Sequence, residues 1–258
     1  MTALRLAHRG DWRHAPENSL EAMYAALAIP ACDGLEFDIR TSRDGVPILL
    51  HDATLQRVQG DPRRAADLTA ADLEGLGVPT LASTLVVADL MSTVVPTRDA
   101  VLAYAKSPHT APPWVARLAE TSTSKARPFL DVELKEPAND AFFEVLGAAR
   151  GRPDGQLDRA VVSSFHPEIL VGVRAARPGW ALWGNARDLE PETIEIAKQL
   201  GCRGLSAAWR AVTPASAARA RDAGLELAGW TVRRSATFDR LDRLGLVAIC
   251  VEAAALDG

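Results

Sequence analysis

Two histidines, an arginine and two carboxylates lie between positions 8 and 51 of the chain: His8, Arg9, Glu36, Asp38 and His51. Imidazole titrates near neutral pH, so two histidines can supply a general acid and a general base in one site. Neighbouring carboxylates offer the oxygen ligands that hard divalent cations prefer. These residue types together indicate acid–base chemistry assisted by a metal ion.

The two carboxylates alternate with apolar residues in the segment 35–39, which reads Leu-Glu-Phe-Asp-Ile. Successive side chains of a strand point to opposite faces, so Glu36 and Asp38 share one face and the apolar residues share the other. A strand of a parallel α/β sheet is normally buried on both faces, and a buried carboxylate face must be neutralised. A divalent cation is the usual agent. An edge strand with one solvated face is the alternative, and the flanking histidines favour the catalytic interpretation.

Strand and helix signals alternate regularly from residue 129 to the end of the chain. With strands at 4–8 and 35–39 they make eight, and eight alternating βα units predict a closed TIM (β/α)8 barrel of the α/β class. The later strands are predicted at 129–134, 160–164, 180–183, 203–206, 225–232 and 246–251. The helices between them are predicted at 139–149, 167–176, 190–200, 214–223 and 236–244.

The segment between the second and third barrel strands is less regular. Asn18 is predicted to cap the first helix, with Glu21 completing a capping box, and that helix ends before Pro30. After the strand at 35–39 the link to residues 46–51 is too short for a parallel crossover but permits an antiparallel hairpin. His51 is therefore placed on an extension of the second βα loop that folds back toward the barrel mouth. Residues 53–128 are expected to form a small helical insertion over the mouth, plus the second barrel helix.

A second charged pair, Glu133 and Lys135, lies at the end of the strand predicted at 129–134. These side chains share a strand face with Asp131, opposite the apolar residues of the strand. Charged residues near the carboxyl end of a barrel strand are typically catalytic. A local ion pair at a wet strand end is the alternative.

The order of these motifs resembles the glycerophosphodiester phosphodiesterase family, which is built on a TIM barrel. The motifs are HRG at 8–10, PENS at 16–19, ExD at 36–38 and HD at 51–52, with further matches at 132–135, 163–165 and 230–232. They cover nearly the whole chain in the family's order. The resemblance implies metal-dependent hydrolysis of a small-molecule glycerophosphodiester to glycerol 3-phosphate and an alcohol.

The resemblance also implies a role for each site residue. The implied roles are general acid and base for His8 and His51, metal ligands for Glu36, Asp38 and Glu133, and phosphate or substrate contacts for Arg9, Lys135 and Trp230. The metal is one divalent ion, either Mg²⁺ or Ca²⁺. Which histidine is the acid stays open, and Trp230 can equally fill the top of the barrel. Asp52 either orients a histidine or caps the next segment.

The formal charges of this set support a metal ion. Glu36, Asp38 and Glu133 sum to −3, and Arg9 and Lys135 sum to +2, which leaves −1. A site of that charge would repel a phosphodiester anion, whereas a divalent cation changes the sum to +1 and attracts it. The sum requires all five groups to converge in the folded chain.

The chain departs from the family's pattern at three places near the predicted mouth. Arg233 stands where the family commonly has Asn, Gln56-Arg57-Val58 replaces Arg-Thr-Thr, and residues 251–254 read Val-Glu-Ala-Ala rather than Thr-Asp-x-Pro. No predicted metal ligand or catalytic histidine is affected. The headgroup pocket is therefore the part of the site that the resemblance leaves open.

Two rival functions and two chemical routes remain. A lysophospholipase D or sphingomyelinase D-like activity on lipids would need an apolar patch at the mouth, for which residues 53–128 are the candidate segment. A catalytically silent barrel that binds a phosphorylated ligand is the other rival, but all the charged and titratable positions of the motifs are present. In an active enzyme either water or the glycerol 2-hydroxyl can attack phosphorus, the latter through a cyclic phosphate.

The bulk properties restrict the class of protein. The 258 residues fit one α/β domain spanning positions 1–258. A net charge of −4 and a pI of about 5.8 argue against nucleic-acid or anionic-membrane surfaces. Cys32, Cys202 and Cys250 are widely spaced and imply neither a disulfide framework nor a zinc site. With no signal peptide and no apolar run of membrane-spanning length expected, we predict a cytoplasmic protein without stable membrane association.

Overall fold

Eight parallel strands close into a barrel in the computed structural model, which describes residues 2–91, 98–106 and 126–258. The barrel strands are β1 (Leu4–His8), β2 (Gly34–Thr41), β4 (Phe129–Leu134), β5 (Ala160–Ser164), β6 (Leu182–Ala186), β7 (Gly204–Ala208), β8 (Glu226–Val232) and β9 (Ala248–Val251). The barrel closes because β1 pairs with both β2 and β9. A short strand, β3 (Pro47–Leu49), pairs antiparallel with the end of β2.

Helices follow the strands in the alternating order predicted for a TIM barrel. The described helices are α1 (Leu20–Leu27), α2 (Gln56–Gln59), α3 (Ala70–Gly75), α4 (Leu81–Leu90), α5 (Arg98–Lys106), α6 (Asp140–Arg150), α7 (Pro167–Ala176), α8 (Pro191–Gln199), α9 (Pro214–Asp222), α10 (Ser235–Arg243) and α11 (Ala254–Asp257), with a 3₁₀ turn at Ala65–Asp67. The predicted α/β barrel is confirmed. Within the described ranges, no helix combines the length and apolar character that a membrane crossing requires.

Strand alternation divides the core into two layers. The outward-facing residues of β2 and β4, such as Phe37 and Val132, belong to the large cluster between barrel and helices. A smaller cluster fills the interior of the barrel, where Leu6, Phe129 and Trp183 are buried together. The carboxylates of β2 and β4 are on the inward faces, so they form a polar layer above this interior cluster. Apolar packing below them fixes the positions of the strands that carry them.

The hairpin predicted after β2 is present, and His51 follows β3. A third apolar cluster lies beneath this segment and joins β3 to the helices that follow it, with Ile48, Leu55, Leu68 and Leu73 among its buried members. Helices α2 to α5 all fall inside the insertion predicted at 53–128. Residues 92–97 and 107–125 of that prediction lie outside the described part of the chain.

Two local predictions were wrong. Ser19, not Asn18, caps α1, because the Ser19 hydroxyl accepts a hydrogen bond from the backbone N–H of Ala22. Strand β6 runs to Ala186 rather than ending at residue 183. Trp180, which was assigned to that strand, instead packs against aromatic side chains of α6.

Candidate active site

The register of the strands brings the predicted carboxylates to one end of the barrel. His8 of β1 pairs with Glu36 of β2, and Asp38 of β2 pairs with Glu133 of β4. The strands are parallel, so these residues all lie near the carboxyl ends, where TIM-barrel enzymes build their active sites. The predicted site residues on three strands therefore lie together at this end of the barrel.

Glu36, Asp38 and Glu133 form a tight cluster of buried carboxylates, with one oxygen from each lying within 4.8 Å of the others. Burial and repulsion from Asp38 raise the pKa of Glu36 well above its usual value. The pKa of Glu133 is also raised, mainly by burial, although Lys135 opposes the shift. Among the described residues, Glu36 Oε2 has no hydrogen-bond partner. A buried acceptor without a donor is costly, and a bound cation would satisfy it.

Asp38 is the centre of the cation contacts in the site. Its Oδ2 lies 2.9 Å from Arg9 Nε and accepts a hydrogen bond of 2.9 Å from the Asn18 side chain. Its Oδ1 lies 2.8 Å from Lys135 Nζ. Burial acts to raise the pKa of Asp38, but Lys135, Arg9 and His51 outweigh it and hold that pKa far below its usual value. Asp38 is therefore ionised at neutral pH and orders both cationic side chains.

The loop after β1 adopts an unusual backbone to aim Arg9. Arg9 has a φ of 60° and Gly10 a φ of 82°, in the left-handed region that is costly for residues with a Cβ. A Cβ on Gly10 would lie 2.6 Å from the Ala22 carbonyl carbon, so the loop can approach α1 this closely only with glycine. Arg9 also donates a hydrogen bond of 2.9 Å to Glu17. The HRG motif thus sets the position of a guanidinium over the carboxylate cluster.

Lys135 lies between the carboxylate cluster and an aromatic wall formed by Phe165 and Trp230. Its ammonium contacts Glu133 as well as Asp38. Burial acts to lower the pKa of Lys135, but these two carboxylates outweigh it and raise that pKa. Its Nζ also lies 5.9 Å from the centre of the Phe165 ring. The side chain is therefore a fixed positive charge at the edge of the cluster.

His8 is held by Glu252, for which no role was predicted. His8 Nδ1 lies 2.5 Å from Glu252 Oε1, and His8 Nε2 lies 3.8 Å from Glu36 Oε2. Arg233 donates a hydrogen bond of 2.7 Å to the other oxygen of Glu252. Arg233 and Glu252, which both lie where the chain departs from the family's pattern, therefore contact one another next to His8.

His51 is held in a similar way by Asp52. His51 Nδ1 lies 2.7 Å from Asp52 Oδ1, so Asp52 orients the histidine. Arg57 donates to Asp52 and to Glu17, and so links the second βα loop to the first. Burial lowers the pKa of His51, with Arg9 also acting in that direction and Asp38 and Asp52 opposing it. His51 is therefore more often neutral than an ordinary histidine.

These residues surround one cleft with a volume of about 210 Å³. The predicted site residues that line it are His8, Arg9, Glu36, His51, Glu133, Lys135 and Trp230. Trp230 also packs on the interior cluster, and its indole N–H donates a hydrogen bond of 2.9 Å to the Ser206 carbonyl. It thus both lines the cleft and fills the barrel top.

Other lining residues lie on β4, directly after β5 and at the end of β6. Asp131 is buried and accepts a hydrogen bond of 2.6 Å from Ser163, and burial raises its pKa to about 7. Asn185 and Arg187 also line the cleft. The strand predicted at 180–183 stopped short of both residues, whereas alternation along the longer β6 would have pointed Asn185 inward with Trp183.

The donors of the carboxylate cluster fit a divalent cation. Three carboxylates offer hard oxygen ligands of the kind that Mg²⁺ and Ca²⁺ take, and Glu36 Oε2 is an unsatisfied buried acceptor among the described residues. The five charged groups of the predicted sum also lie together, as that sum required.

The fold is a TIM barrel, and the charged cleft lies at the carboxyl ends of its strands, where TIM-barrel enzymes have their active sites. Its sequence matches the model of the glycerophosphoryl diester phosphodiesterase family over residues 8–256, so the chain belongs to that family. A glycerophosphodiester phosphodiesterase from Caldanaerobacter subterraneus is 34% identical over 76 residues, which are 30% of this chain and 31% of that protein. Human glycerophosphodiester phosphodiesterase 1 is 41% identical over 71 residues, which are 28% of this chain and 21% of that protein. The matched segments thus span less than a third of each curated relative.

Solved structures share the fold over the whole chain. A phosphodiesterase from Oleispira antarctica, in complex with its product sn-glycerol 3-phosphate, superposes with a TM-score of 0.71 at 21% identity. The superposition covers 97% of this chain and 93% of that one. Glycerophosphodiester phosphodiesterase from Thermotoga maritima gives a TM-score of 0.67 at 19% identity, covering 100% of this chain and 96% of that one. At these identities the likeness concerns the fold.

Proposed function

We propose that this protein is a metal-dependent phosphodiesterase that hydrolyses glycerophosphodiesters to glycerol 3-phosphate and an alcohol. The observation that carries the proposal is one cleft in which a buried carboxylate cluster lies beside two histidines, each held at Nδ1 by a carboxylate. Membership of the family, and the product named in the Oleispira antarctica structure, support the same substrate class.

Arg9 and Lys135 bind the phosphate of the substrate in this proposal. Both are half-buried cations held in place by Asp38, so little side-chain entropy is lost when the phosphate binds. Their positive charges also face the negative charge that develops on the phosphoryl oxygens during transfer. The carboxylates beneath them keep the uncomplexed site from carrying an excess of positive charge.

Glu36, Asp38 and Glu133 would hold one divalent cation. When bound, that ion supplies Lewis-acid stabilisation of charge on the phosphoryl group. Lys135 contacts two of these carboxylates, so its ammonium competes with a cation for the same negative charge. The raised pKa values of Glu36 and Glu133 mean that cation binding also displaces protons.

His8 and His51 act as the acid–base pair. Each donates its Nδ1–H to a carboxylate, which leaves Nε2 available for proton transfer. We assign the base to His51, because its lowered pKa favours the neutral ring. His51 takes a proton from the attacking hydroxyl as its oxygen bonds to phosphorus, the bond from phosphorus to the alcohol oxygen breaks, and His8 gives its proton to that oxygen. Attack by water gives glycerol 3-phosphate directly. Attack by the glycerol 2-hydroxyl gives a cyclic phosphate, which a second attack by water must open at the 2-oxygen.

A panel of glycerophosphodiesters and lysolipids, incubated with Mg²⁺, Ca²⁺ or EDTA, tests the proposal. Released alcohol and glycerol 3-phosphate are measured together. We expect hydrolysis of the glycerol diesters with metal and loss of turnover in EDTA. Preference for lysolipids would favour the lipid-directed activity instead. Binding of the diesters without turnover under any metal condition would indicate a catalytically silent barrel.

A further inference from the structure

Arg187 follows β6 and places a guanidinium at the wall of the catalytic cleft. Its Cζ lies 5.6 Å from the centre of the Phe165 ring, and both residues line the cleft. Within the described ranges, no carboxylate lies at ion-pair distance from Arg187. The neighbouring Asp188 accepts hydrogen bonds from the Thr193 hydroxyl and the Glu190 backbone, so it serves the start of α8. The charge of Arg187 is therefore available to a ligand.

Two cationic side chains, Lys135 and Arg187, already lie beside Phe165 in the aromatic wall of the cleft. Lys135 Nζ lies 5.9 Å from the Phe165 ring centre, a distance similar to that of Arg187. Trp230 packs against Phe165 in a T-shaped arrangement with 5.3 Å between ring centres. Aromatic rings recognise quaternary ammonium groups such as choline when their faces are open to them. Here a cationic alcohol approaching Phe165 meets two like charges, which disfavours it.

A second cavity adjoins the cleft at Arg187. It has a volume of about 330 Å³ and shares Phe165, Asn185 and Arg187 with the catalytic cleft. Its other walls include the apolar side chains of Ile196 and Leu205. A group attached to the phosphate that extends from Lys135 along Phe165 therefore reaches Arg187, which lies between the cleft and this cavity.

We propose that Arg187 binds a negatively charged group on the leaving alcohol, and that the preferred substrates are glycerophosphodiesters whose alcohol is anionic. A carboxylate or a second phosphate would form a charge-assisted, bidentate contact with the guanidinium. The inference rests on the proposed phosphodiesterase function and adds the class of alcohol to it. Arg187 is thus a specificity residue that contacts the alcohol rather than the reacting phosphate.

Two pairs of substrates that differ in the charge of the alcohol test the charge preference. Glycerophosphoinositol 4-phosphate and glycerophosphoinositol differ by one phosphate, and glycerophosphocholine and its 3,3-dimethylbutyl isostere differ by one positive charge. We expect wild-type kcat/KM to favour the anionic member of the first pair and the uncharged member of the second. Arg187→Gln should lower the anionic-to-neutral ratio by about ten- to a hundredfold, the worth of a hydrogen bond to a charged group.

Two control variants separate charge from shape. Arg187→Lys keeps a positive charge and should retain most of the preference. Arg210 is a matched control, because it is exposed and lies 4.4 Å from the Trp209 ring but does not line the cleft. Arg210→Gln should leave both ratios as in the wild type.

Two outcomes would overturn the inference. The first is a wild-type anionic-to-neutral ratio near one. The second is a ratio that Arg187→Gln does not change; if kcat/KM falls equally on every substrate, Arg187 contacts the phosphate instead. If wild type hydrolyses none of the diesters, the proposed function fails. In that case calorimetric Kd values for the two inositol diesters test the inference. The tighter binding of the phosphorylated diester must be reduced in Arg187→Gln for the inference to stand.

Discussion

His8 Nδ1 and Glu252 Oε1 lie 2.5 Å apart, although 243 residues of chain separate them and they belong to opposite ends of the sequence. The contact exists because β1 and β9 pair where the barrel closes. Glu252 is buried, and although burial acts to raise its pKa, His8 and Arg233 outweigh it and lower that pKa. An ionised Glu252 fixes the tautomer of His8 with Nε2 toward the carboxylate cluster.

Replacing Glu252 with Gln should lower kcat while changing KM little, because the contact is with His8 and not with substrate. The amide keeps the shape but loses the charge, and we expect a loss between about tenfold and the 10⁴-fold seen for orienting carboxylates in catalytic triads. Glu252→Asp should recover part of kcat. Arg233→Gln, which removes a more exposed partner of Glu252, should have a much smaller effect. A rise in KM with kcat preserved would exclude the positioning role.

His8→Ala and His51→Ala should each lower kcat by about 10²–10⁴-fold with the fold intact, the usual contribution of a general acid or base. A p-nitrophenyl diester of glycerol phosphate separates the two roles, because its leaving group needs no proton. We expect His8→Ala to lose much less activity on this substrate, and His51→Ala to lose the same factor on both. His166→Ala, at an exposed histidine outside the cleft, is the control. A reversed pattern would exchange the roles of acid and base.

The lowered pKa of His51 predicts activity on the acid side of neutrality. A general base works in its neutral form, and the base form of His51 persists below the usual histidine pKa of 6.5 because burial disfavours its charge. The acid limb of the pH profile of log kcat/KM, measured at saturating metal, should therefore have an apparent pKa below 6.5. Asp52 acts to raise this pKa, so Asp52→Asn should move the limb to still lower pH. A limb above pH 6.5, or one that Asp52→Asn does not move, would assign it to another group.

The barrel and most of its charged cluster could be predicted because their signals are local. Alternation along 35–39 places Glu36 and Asp38 on one face, and parallel strands bring carboxyl ends to the same side. Glu252 carried no such signal, since only barrel closure brings it to His8. Asn18 was assigned to the helix cap, which short polar residues favour, but in the folded chain its amide donates to Asp38.

The predicted bounds of β6 explain why Asn185 and Arg187 were missed. The strand was predicted at 180–183, and Gly184 interrupts the apolar pattern directly after it. In the structure β6 continues through Asn185 to Ala186, supported by backbone pairing with β7. Pairing between neighbouring strands extends β6 further than the local preference of its residues indicates. Arg187, at the end of that extension, became visible as a cleft residue only in the folded chain.

Part of the insertion predicted at 53–128 contributes to an apolar cluster that supports β3. Leu73 of α3 is fully buried in the cluster that supports β3, on which the position of His51 depends. Leu73→Ala should therefore lower the free energy of unfolding by about 2–5 kcal/mol, the cost of a cavity in a packed core. Chemical denaturation measures the loss, and Glu74→Ala, at a neighbouring exposed position, should be nearly neutral. A loss below 1 kcal/mol would show that this cluster contributes little to the fold.

Removing one carboxylate from the metal cluster should weaken cation binding. Glu36→Gln and Glu133→Gln each delete one negative charge with little change in shape, and Asp38→Asn does the same but also loses the partner of Arg9 and Lys135. We expect calorimetric titrations of Mg²⁺ and Ca²⁺ to give markedly lower affinity in all three variants. In wild type the titration should release protons, because Glu36 and Glu133 have raised pKa values, and affinity should rise with pH.

Lys135→Met separates the metal from the substrate. It removes a positive charge beside Asp38 and Glu133, so cation affinity should stay the same or increase while substrate binding weakens. Asp131→Asn is a matched control at a buried carboxylate outside the cluster of three, and it should lower cation affinity less than Glu36→Gln. Bound metal should also raise Tm in wild type, since it stabilises only the folded chain. Full turnover in excess EDTA, or wild-type cation affinity in the Glu36 and Glu133 variants, would leave these side chains as an ion-pair network that orders Arg9 and Lys135.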